Sequence, residues 1–376
     1  MKCNIKVLSP VHIGSGEKYT ASEYVNSKAK TKKGTVLKTI NRIDISKYFL
    51  SLDDNKKDDF LSNLSETNFN LKSFDSKIPN IYRKYQAINK SKNEIGIKQE
   101  INEAIKTLNE LYIPGSSIKG AIKSAVLYNA LDDEMIEEIS RNVINHKGRV
   151  DNKKYTNFMN NIFTSDKKYP APQRDIMKFL QVSDSTTIKT PTVYDVATVM
   201  ASYNKGNNEF YSRNKRTHEP TLSFLETIAK NKKLSFNINN NYDYEVFKRL
   251  GLDDKKHLID LDNIKKSIFI FSKNLIDYEL EFADNYNISY LLKFYKNIKK
   301  MNTLDTPVLR VGAGSGFLST TVGLKIKEYD KSLFDNIRDG TRGKTYDYSF
   351  PKSRKITMTG GNPLGWIQLS FEENYK

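Results

Sequence analysis

The sequence predicts a mixed α+β protein in which strands are interrupted by helices and by long polar insertions. Short apolar stretches of strand character recur along the 376 residues. One segment in the N-terminal half repeats apolar residues at helical spacing. Strand-helix-strand-strand units separated by long excursions fit an α+β arrangement better than a doubly wound α/β sheet.

Several stretches show the alternation or the β-branched content that is typical of strands. In chain order they are residues 2–8, 35–43, 179–184, 192–202, 234–238, the start of 307–323, and 364–371. The first of them is interrupted by Ser9 and Pro10, before a Gly-Ser-Gly turn at residues 14–16. Residues 221–230 add a further short apolar stretch. The sequence therefore predicts short strands that are distributed over the whole chain.

The clearest predicted element is a helix within residues 112–131. The Pro-Gly-Ser-Ser segment at 114–117 forms a turn and a helix start. The apolar residues that follow at helical spacing are Ile118, Ala121, Ile122, Ala125, Val126 and Leu131. Lys119 and Lys123 lie four residues apart on another face, so their side chains are predicted to be neighbours.

The other predicted helices lie in less regular, more polar segments. They are residues 47–50, for which Asp44 and Ser46 provide N-cap chemistry, 53–100, 133–178 and 260–300. The segment 53–100 is rich in lysine and asparagine and is interpreted as a helical insertion. Residues 204–219 predict a basic loop. At about 100–200 residues per domain, the length predicts two or three domains.

The charge of the chain favours a polyanionic partner. Lysine and arginine number 61 against 44 aspartate and glutamate residues, which gives a net charge of +17. Such an excess concentrates phosphate groups at the surface and favours nucleic acid. The lysine-rich and asparagine-rich composition also suggests a biased genome, which would make the protein basic without any ligand. Charge alone therefore leaves nucleic-acid binding open.

Composition argues against several other classes of protein. Cys3 is the sole cysteine, which excludes an internal disulfide and a cysteine-rich zinc site. The four histidines, His12, His146, His218 and His257, are scattered singly, so we expect no metal and no other cofactor. The start of the chain does not resemble a signal peptide, and no run approaches the ~20 apolar residues of a membrane span. We expect a reduced, cytoplasmic protein with no membrane partner.

Three glycine-rich segments could place backbone N–H groups against phosphate. They are H-I-G-S-G at 12–16, G-S-S-I-K-G at 115–120 and V-G-A-G-S-G-F at 311–317. The second has the glycine spacing of a P-loop, but Ala121 occupies the position of the required lysine. The third places Phe317 where a dinucleotide fingerprint needs its last glycine. A nucleotide enzyme is therefore not expected, and tight turns without a ligand remain an alternative for each segment.

Taken together, five segments resemble the RAMP superfamily of CRISPR proteins over nearly the whole chain. In chain order they are the H-x-G-x-G segment, I-P-G-S-S-I-K-G-A-I-K, L-Q-V-S-D-S at 180–185, L-R-V-G-A-G-S-G-F at 309–317 and P-L-G-W-I-Q-L at 363–369. Within that superfamily, the third and fourth segments favour the subunit that caps the backbone filament of type III-A Csm complexes over the backbone subunit itself.

The resemblance implies a fold, partners and site residues. It implies two ferredoxin-like, RRM-like domains with helical and loop insertions, which we place at residues 1–203 and 204–376. It implies guide RNA and the Csm backbone subunit as partners, with target RNA in the complex and host nucleases recruited for guide maturation. The residues that it implies for RNA contact are His12, Gly14, Ser15, Gly16, Ser116, Ser117, Lys119, Lys123, Arg310, Gly314, Ser315, Gly316, Arg354 and Lys355.

Arg354 and Lys355 are equally well explained as a solvated basic face, and Asp184 is interpreted as a structural turn cap. We expect phosphate-dominated, sequence-independent binding that weakens steeply with salt, because no RNP-type aromatic run is present. The alternative is a metal-independent endoribonuclease, since RAMP relatives include such enzymes. His12 would then be the general base that activates a 2′-hydroxyl, assisted by Lys119 or Tyr112.

Overall fold

The computed structural model describes residues 1–66, 68–145, 147–166, 169–170, 172–200, 219–342 and 350–372. These residues form two main sheets with helices packed on them, which confirms the mixed α+β class. The strands are β1 (Lys2–Val7), β2 (Gly14–Tyr19), β3 (Tyr24–Lys30), β4 (Val36–Ile43), β5 (Arg83–Asn89), β6 (Ile101–Ala104), β7 (Lys106–Thr107), β8 (Glu110–Leu111), β9 (Gln181–Val182), β10 (Thr192–Met200), β11 (Leu222–Thr227), β12 (Lys233–Asn239), β13 (Val308–Arg310), β14 (Ser353–Thr357) and β15 (Trp366–Phe371).

The smaller main sheet joins the two ends of the chain. Its order is β13-β15-β1-β12-β9, and β1 pairs antiparallel with both β12 and β15. Ile5 on β1 lies opposite Leu234 on one side and Leu369 on the other. All three side chains are buried, because alternate residues of each strand face the same core.

The larger sheet has eight strands in the order β2-β6-β11-β10-β5-β4-β3, with β14 paired to β10. β7 and β8 form a separate two-stranded hairpin. Both main sheets combine strands from either side of residue 203, so the two predicted domains share their sheets. The boundary near residue 203 stays a prediction, and it falls outside the described residues, as does most of the predicted basic loop 204–219.

Helices pack on the sheets, and their buried apolar residues form a large part of the main hydrophobic core. They are α1 (Ile45–Leu50), α2 (Asp54–Leu64), α3 (Leu71–Phe74), α4 (Gly115–Ala130), α5 (Asp133–Asn142), α6 (Asn152–Phe163), α7 (Tyr244–Arg249), α8 (Leu261–Asn285), α9 (Ser289–Met301), α10 (Gly316–Thr320), α11 (Gly323–Tyr329) and α12 (Lys331–Arg342). The apolar stripe of α4 is buried against α8 and the smaller sheet, as its periodicity predicts.

Residues 44–82 form a helical insertion with an aromatic core of its own. Phe60 is buried among the rings of Phe49, Phe69 and Phe74, and Leu71 is fully buried nearby. Asp44 caps α1 by accepting from Lys47 N, as predicted. The insertion predicted over 53–100 is helical only in its first part, because residues 83–89 form β5 at the centre of the larger sheet.

Candidate nucleic-acid interface

The first glycine segment begins β2 and is exposed. Gly14, Ser15, Gly16 and Glu17 all face solvent, and Gly16 has a φ of +92°, which an L side chain rarely adopts. The Ser15 hydroxyl donates to the Glu103 carbonyl at 3.1 Å and accepts from Glu17 N at 3.1 Å. The side chain of Ser15 therefore shapes the loop, and the exposed backbone around it is open to a ligand.

His12 lies beneath this loop and is only 6% exposed. Its Nδ1 is 2.6 Å from the carbonyl oxygen of Glu226, which can only accept, so Nδ1 carries the proton. Burial lowers the pKa of His12 below 6.5, although the Glu226 carbonyl opposes that shift. The ring is therefore neutral at neutral pH. Its Nε2 is a hydrogen-bond acceptor without a partner among the described residues.

A buried carboxylate anchors this region from below. Glu226 is fully buried, and its Oε1 accepts from the hydroxyls of Tyr19 and Tyr85 at 2.8 Å each. Its Oε2 accepts from Ala104 N at 3.1 Å and from Lys106 Nζ at 2.5 Å. Four donors thus satisfy one charge, and the network ties β2, β5, β6 and β11 together. Glu226 was not predicted as a functional residue, although an acidic residue inside the apolar stretch 221–230 is a visible signal in the sequence.

The third glycine segment packs directly on the first. Ala313 N donates to the His12 carbonyl oxygen at 2.9 Å, and a Cβ at Gly312 would lie 2.5 Å from the same oxygen. Gly312, Gly314 and Gly316 all have positive φ, between +72° and +84°. Because a side chain at position 312 would collide with the backbone of the first segment, this close contact requires glycine.

Lys355 completes an exposed surface around the two segments. It lies on β14, and its Cβ is 3.7 Å from where a Cβ on Gly314 would be. Its charge also contributes to the lowered pKa of His12. We call this region the loop surface, defined by Gly14, Ser15, Gly16, Gly314, Ser315, Gly316 and Lys355. These residues were predicted separately from distant parts of the chain, and the fold brings them together.

Arg310 and Arg354 do not reach the loop surface. Their side chains are 2% and 4% exposed, and both pair with buried Glu279, at 3.5 Å and 2.6 Å. The Arg354 guanidinium also stacks on Phe282, 4.0 Å from the ring centroid. These interactions cross-link β13, β14 and α8. The prediction that the two arginines contact RNA phosphates is therefore corrected, because both guanidinium groups are buried and share the Glu279 carboxylate.

The second glycine segment starts α4, as predicted. Gly115 N donates to Asp184 Oδ1 at 2.7 Å, so the Asp184 carboxylate caps this helix. A Cβ at Gly115 would lie 2.2 Å from the carbonyl oxygen of Val182. This geometry agrees with the prediction that Asp184 has a structural role as a cap. Because an acidic group already occupies the helix start, Ser116, which is exposed, and the half-buried Ser117 are the polar side chains left to meet a ligand there.

Lys119 and Lys123 form a second basic cluster on α4. Lys123 Nζ is 3.6 Å from Asp175 Oδ2 and lies 4.5 Å from the centroid of the Phe163 ring. Partial burial lowers the pKa of Lys119, and Asp175 opposes that shift while Lys123 adds to it. The two lysines are thus neighbours, as predicted. Their electrostatic partners differ from those of His12, which are Glu226, Lys355 and Lys106.

Two further observations concern ligands other than nucleic acid. Among the described residues, histidine, cysteine and acidic side chains do not assemble into a group that could hold a metal ion. Within the same part of the chain, every helix is too short or too polar to cross a membrane.

Comparison with known proteins agrees with the resemblance predicted from the sequence. Residues 4–319 match the model of the RAMP superfamily. A curated relative, the "CRISPR system Cms protein Csm5" of Methanocaldococcus jannaschii, is 26% identical over 415 aligned positions, which cover 99% of this chain and 89% of the relative.

Two solved structures share the fold. A chain in a cryo-EM structure of a Csm-crRNA-target RNA ternary complex of a type III-A CRISPR-Cas system superposes with a TM-score of 0.68 and 23% identity, covering 98% of this chain and all of that one. T. onnurineus Csm5 superposes with a TM-score of 0.62 and 22% identity, covering 97% and 99%. These matches confirm the predicted RAMP architecture of ferredoxin-like domains with insertions. The chain therefore belongs to the RAMP superfamily.

Proposed function

We propose that this chain is a non-catalytic RNA-binding subunit of a type III-A CRISPR effector complex of the Csm class. In this proposal it caps the backbone filament at the 3′ side of the guide RNA and assists guide maturation by recruiting host nucleases. Its partners are guide RNA, the Csm backbone subunit and, in the assembled complex, target RNA. Support comes from a Csm5 relative that aligns over 99% of the chain and from a structural neighbour whose complex contains crRNA and target RNA.

The observation that carries RNA binding is the loop surface. Two glycine segments about 300 residues apart in sequence are hydrogen-bonded to each other, are exposed at Gly14, Gly16 and Gly316, and lie beside the exposed Lys355. Exposed backbone beside a cation suits phosphate oxygens, and it offers little to distinguish one base from another. Ser116, Ser117, Lys119 and Lys123 remain proposed contacts on a second basic cluster. Arg310 and Arg354 act by supporting the interior.

The endoribonuclease alternative has one observation in its favour. Neutral His12 has an acceptor nitrogen without a partner in the part of the chain that the structure describes, and Gly14 keeps that nitrogen approachable, because a Cβ there would lie 3.2 Å from Nε2. A general base needs such an acceptor. Lys119, one of the two assistants predicted for it, instead belongs to the Asp175 and Lys123 group. We therefore favour the binding subunit.

Reconstitution tests the capping role directly. The chain would be assembled with the Csm backbone subunit and guide RNA, and the copies in each particle would be counted by native mass spectrometry. A cap predicts one copy per filament, whatever the number of backbone subunits. Incorporation in proportion to the backbone subunit, or none at all, would refute capping. Guide RNA extracted from particles without the chain is predicted to be longer than guide RNA from complete particles.

A further inference from the structure

A third basic region, distinct from the loop surface and from the Lys119 and Lys123 cluster, lies against the β3–β4 hairpin. A cleft of about 680 Å³ opens there, within the ~300–1,000 Å³ typical of ligand sites. Its lining includes Lys28, Lys38, Lys72, Lys92, Asn26 and Asn89. Glu94 is the one acidic residue in the lining, which leaves a balance of +3 from four lysines and one glutamate.

The charge in this cleft is not neutralised by the protein. All four lysines are exposed, and none has a carboxylate oxygen within 4.0 Å among the described residues. The hairpin from residue 24 to 43 contains five exposed lysines and no acidic residue, and its sixth basic side chain, Arg42, is buried and pairs with Glu23. Lysines that only keep a surface soluble usually alternate with acidic residues. This stretch therefore has the composition of a site for a polyanion.

The register of the hairpin concentrates that charge. Lys28 of β3 lies directly opposite Lys38 of β4 in an antiparallel pair. Like charges in this position repel each other and cost stability, typically a few tenths of a kcal/mol or more. β3 is an edge strand, where lysine also discourages association between sheets, but a facing pair is not needed for that purpose. A bound phosphate between the two ammonium groups would convert the repulsion into attraction.

The other wall of the cleft is held in place by a buried carboxylate. Asp195 is fully buried, and it accepts from Lys92 N at 3.1 Å and from Asn93 N at 2.8 Å. It also accepts from Asn93 Nδ2 at 2.7 Å. The protein itself therefore holds the loop that carries Lys92 in one conformation. Such preorganisation reduces the entropy that binding must overcome.

The cleft and the loop surface are connected through β14 and the turn that follows it. Thr359 lies four residues beyond Lys355, and its hydroxyl donates to the Lys90 carbonyl oxygen at 2.7 Å. Met358 N donates to the Asp195 carbonyl oxygen at 2.9 Å. Four residues of chain span at most about 13 Å, so Lys355 lies within that distance of Thr359, which contacts the loop that carries Lys92. One nucleic-acid strand could therefore contact both surfaces.

The lining also indicates what part of a nucleic acid is recognised. It contains no aromatic ring on which a base could stack. Several of its polar groups are already used within the protein, since Ser27 Oγ is 2.7 Å from Thr39 Oγ1 and Asn89 Oδ1 accepts from Ser91 N. The four lysine ammonium groups remain for a ligand, together with the Ser91 hydroxyl, which has no hydrogen-bond partner among the described residues. The cleft is therefore expected to contact the phosphates of a nucleic acid, and base identity should contribute little to its affinity.

We propose that this cleft binds the phosphodiester backbone of single-stranded RNA, as a second contact that continues the path of the strand beyond the loop surface. The inference rests on the proposed RNA-binding function. Lys28, Lys38 and Lys92 neutralise phosphate charge, and Lys72 of the helical insertion approaches from the far side.

The test is RNA binding by the full chain with Lys28→Ala/Lys38→Ala. Fluorescence anisotropy with labelled oligouridylate would be measured across a potassium chloride series. Loss of two phosphate contacts lowers the slope of log K against log salt by about 1.4 and raises the Kd about tenfold at moderate salt. The matched control is Lys296→Ala/Lys300→Ala, which removes two exposed lysines from α9 and should leave RNA binding as in the wild type. A second control is Lys28→Arg/Lys38→Arg, which keeps both positive charges and should retain binding.

The melting temperature of Lys28→Ala/Lys38→Ala shows that any loss of binding is not a loss of folding. It should be unchanged or raised, because the substitutions remove a repulsive pair. Wild-type Kd and salt slope in Lys28→Ala/Lys38→Ala would overturn the inference, and the cleft would then be a candidate for an acidic protein partner. If Lys355→Ala still weakens binding in that case, the proposed function stands. If wild-type protein binds no RNA, the proposed function itself fails.

Discussion

Replacing Glu226 with glutamine should destabilise the protein far more than the same change at an exposed glutamate. The carboxylate is fully buried and accepts four hydrogen bonds, two on each oxygen. Glutamine replaces one acceptor oxygen with an NH₂ donor, so two of the four donors lose their partner and Lys106 loses its main counter-charge. Removing one partner of a buried ion pair typically costs ~3–5 kcal/mol. Because Lys106 also pairs with Glu103 at 3.1 Å, we expect about 3 kcal/mol here.

Urea and thermal unfolding would measure this change against Glu100→Gln. Glu100 pairs with Lys18 at 2.7 Å, but both side chains are 51% exposed, so the loss there is about 0–1 kcal/mol. Combining Glu226→Gln with Lys106→Met should be less destabilising than the sum of the single changes, by ~1–3 kcal/mol. A loss below about 1 kcal/mol for Glu226→Gln would refute the network as the anchor of this region.

Three further predictions follow from neighbouring contacts. Gly115→Ala should destabilise the protein by ~1–3 kcal/mol in thermal unfolding, because the new Cβ would meet the Val182 carbonyl oxygen. Gly120→Ala, which faces open space on the same helix, should instead stabilise the protein by ~0.5–1 kcal/mol. Arg354→Met should lower the free energy of unfolding by ~3–5 kcal/mol, measured in urea, because among the described residues it leaves Glu279 with the longer contact to Arg310 alone. Because the pKa of His12 is lowered in the folded protein, the unfolded chain takes up a proton at a higher pH than the folded protein does. The free energy of unfolding should therefore fall as the pH drops from 7 to 5. In a pH series of melting curves, the melting temperature of His12→Asn should change less with pH than that of the wild type.

The sequence predicted the elements whose pattern is local. Helix α4 was predicted because its apolar residues follow the helical period, and β1, β4, β10, β12 and β15 because their residues alternate or are β-branched. β2 and β3 were missed because they lie at the two edges of the larger sheet and have few buried side chains. β2 is rich in exposed glycine, serine and lysine, and the exposed residues of β3 are asparagine and lysine. β14 was missed because its partner, β10, is more than 150 residues away.

The site was predicted less completely, and for a related reason. Resemblance to the superfamily identified the two glycine segments, but nothing local shows that Ala313 hydrogen-bonds to His12. The resemblance implied that Arg310 and Arg354 contact RNA, yet both pair with Glu279, which the sequence separates from them by 31 and 75 residues. A buried pairing of this kind depends on tertiary structure, so neither the motif nor the residue type predicts it.

Binding and cleavage of guide-like RNA in EDTA test the central claim most directly. Wild-type protein would be compared with Lys355→Ala and with His12→Ala across a salt series, with RNA integrity followed on denaturing gels. We predict intact RNA in every case, with binding by the wild type that falls steeply with salt and a weaker salt dependence for Lys355→Ala. Cleavage that survives EDTA and disappears with His12→Ala would contradict the account and make the protein a processing endoribonuclease.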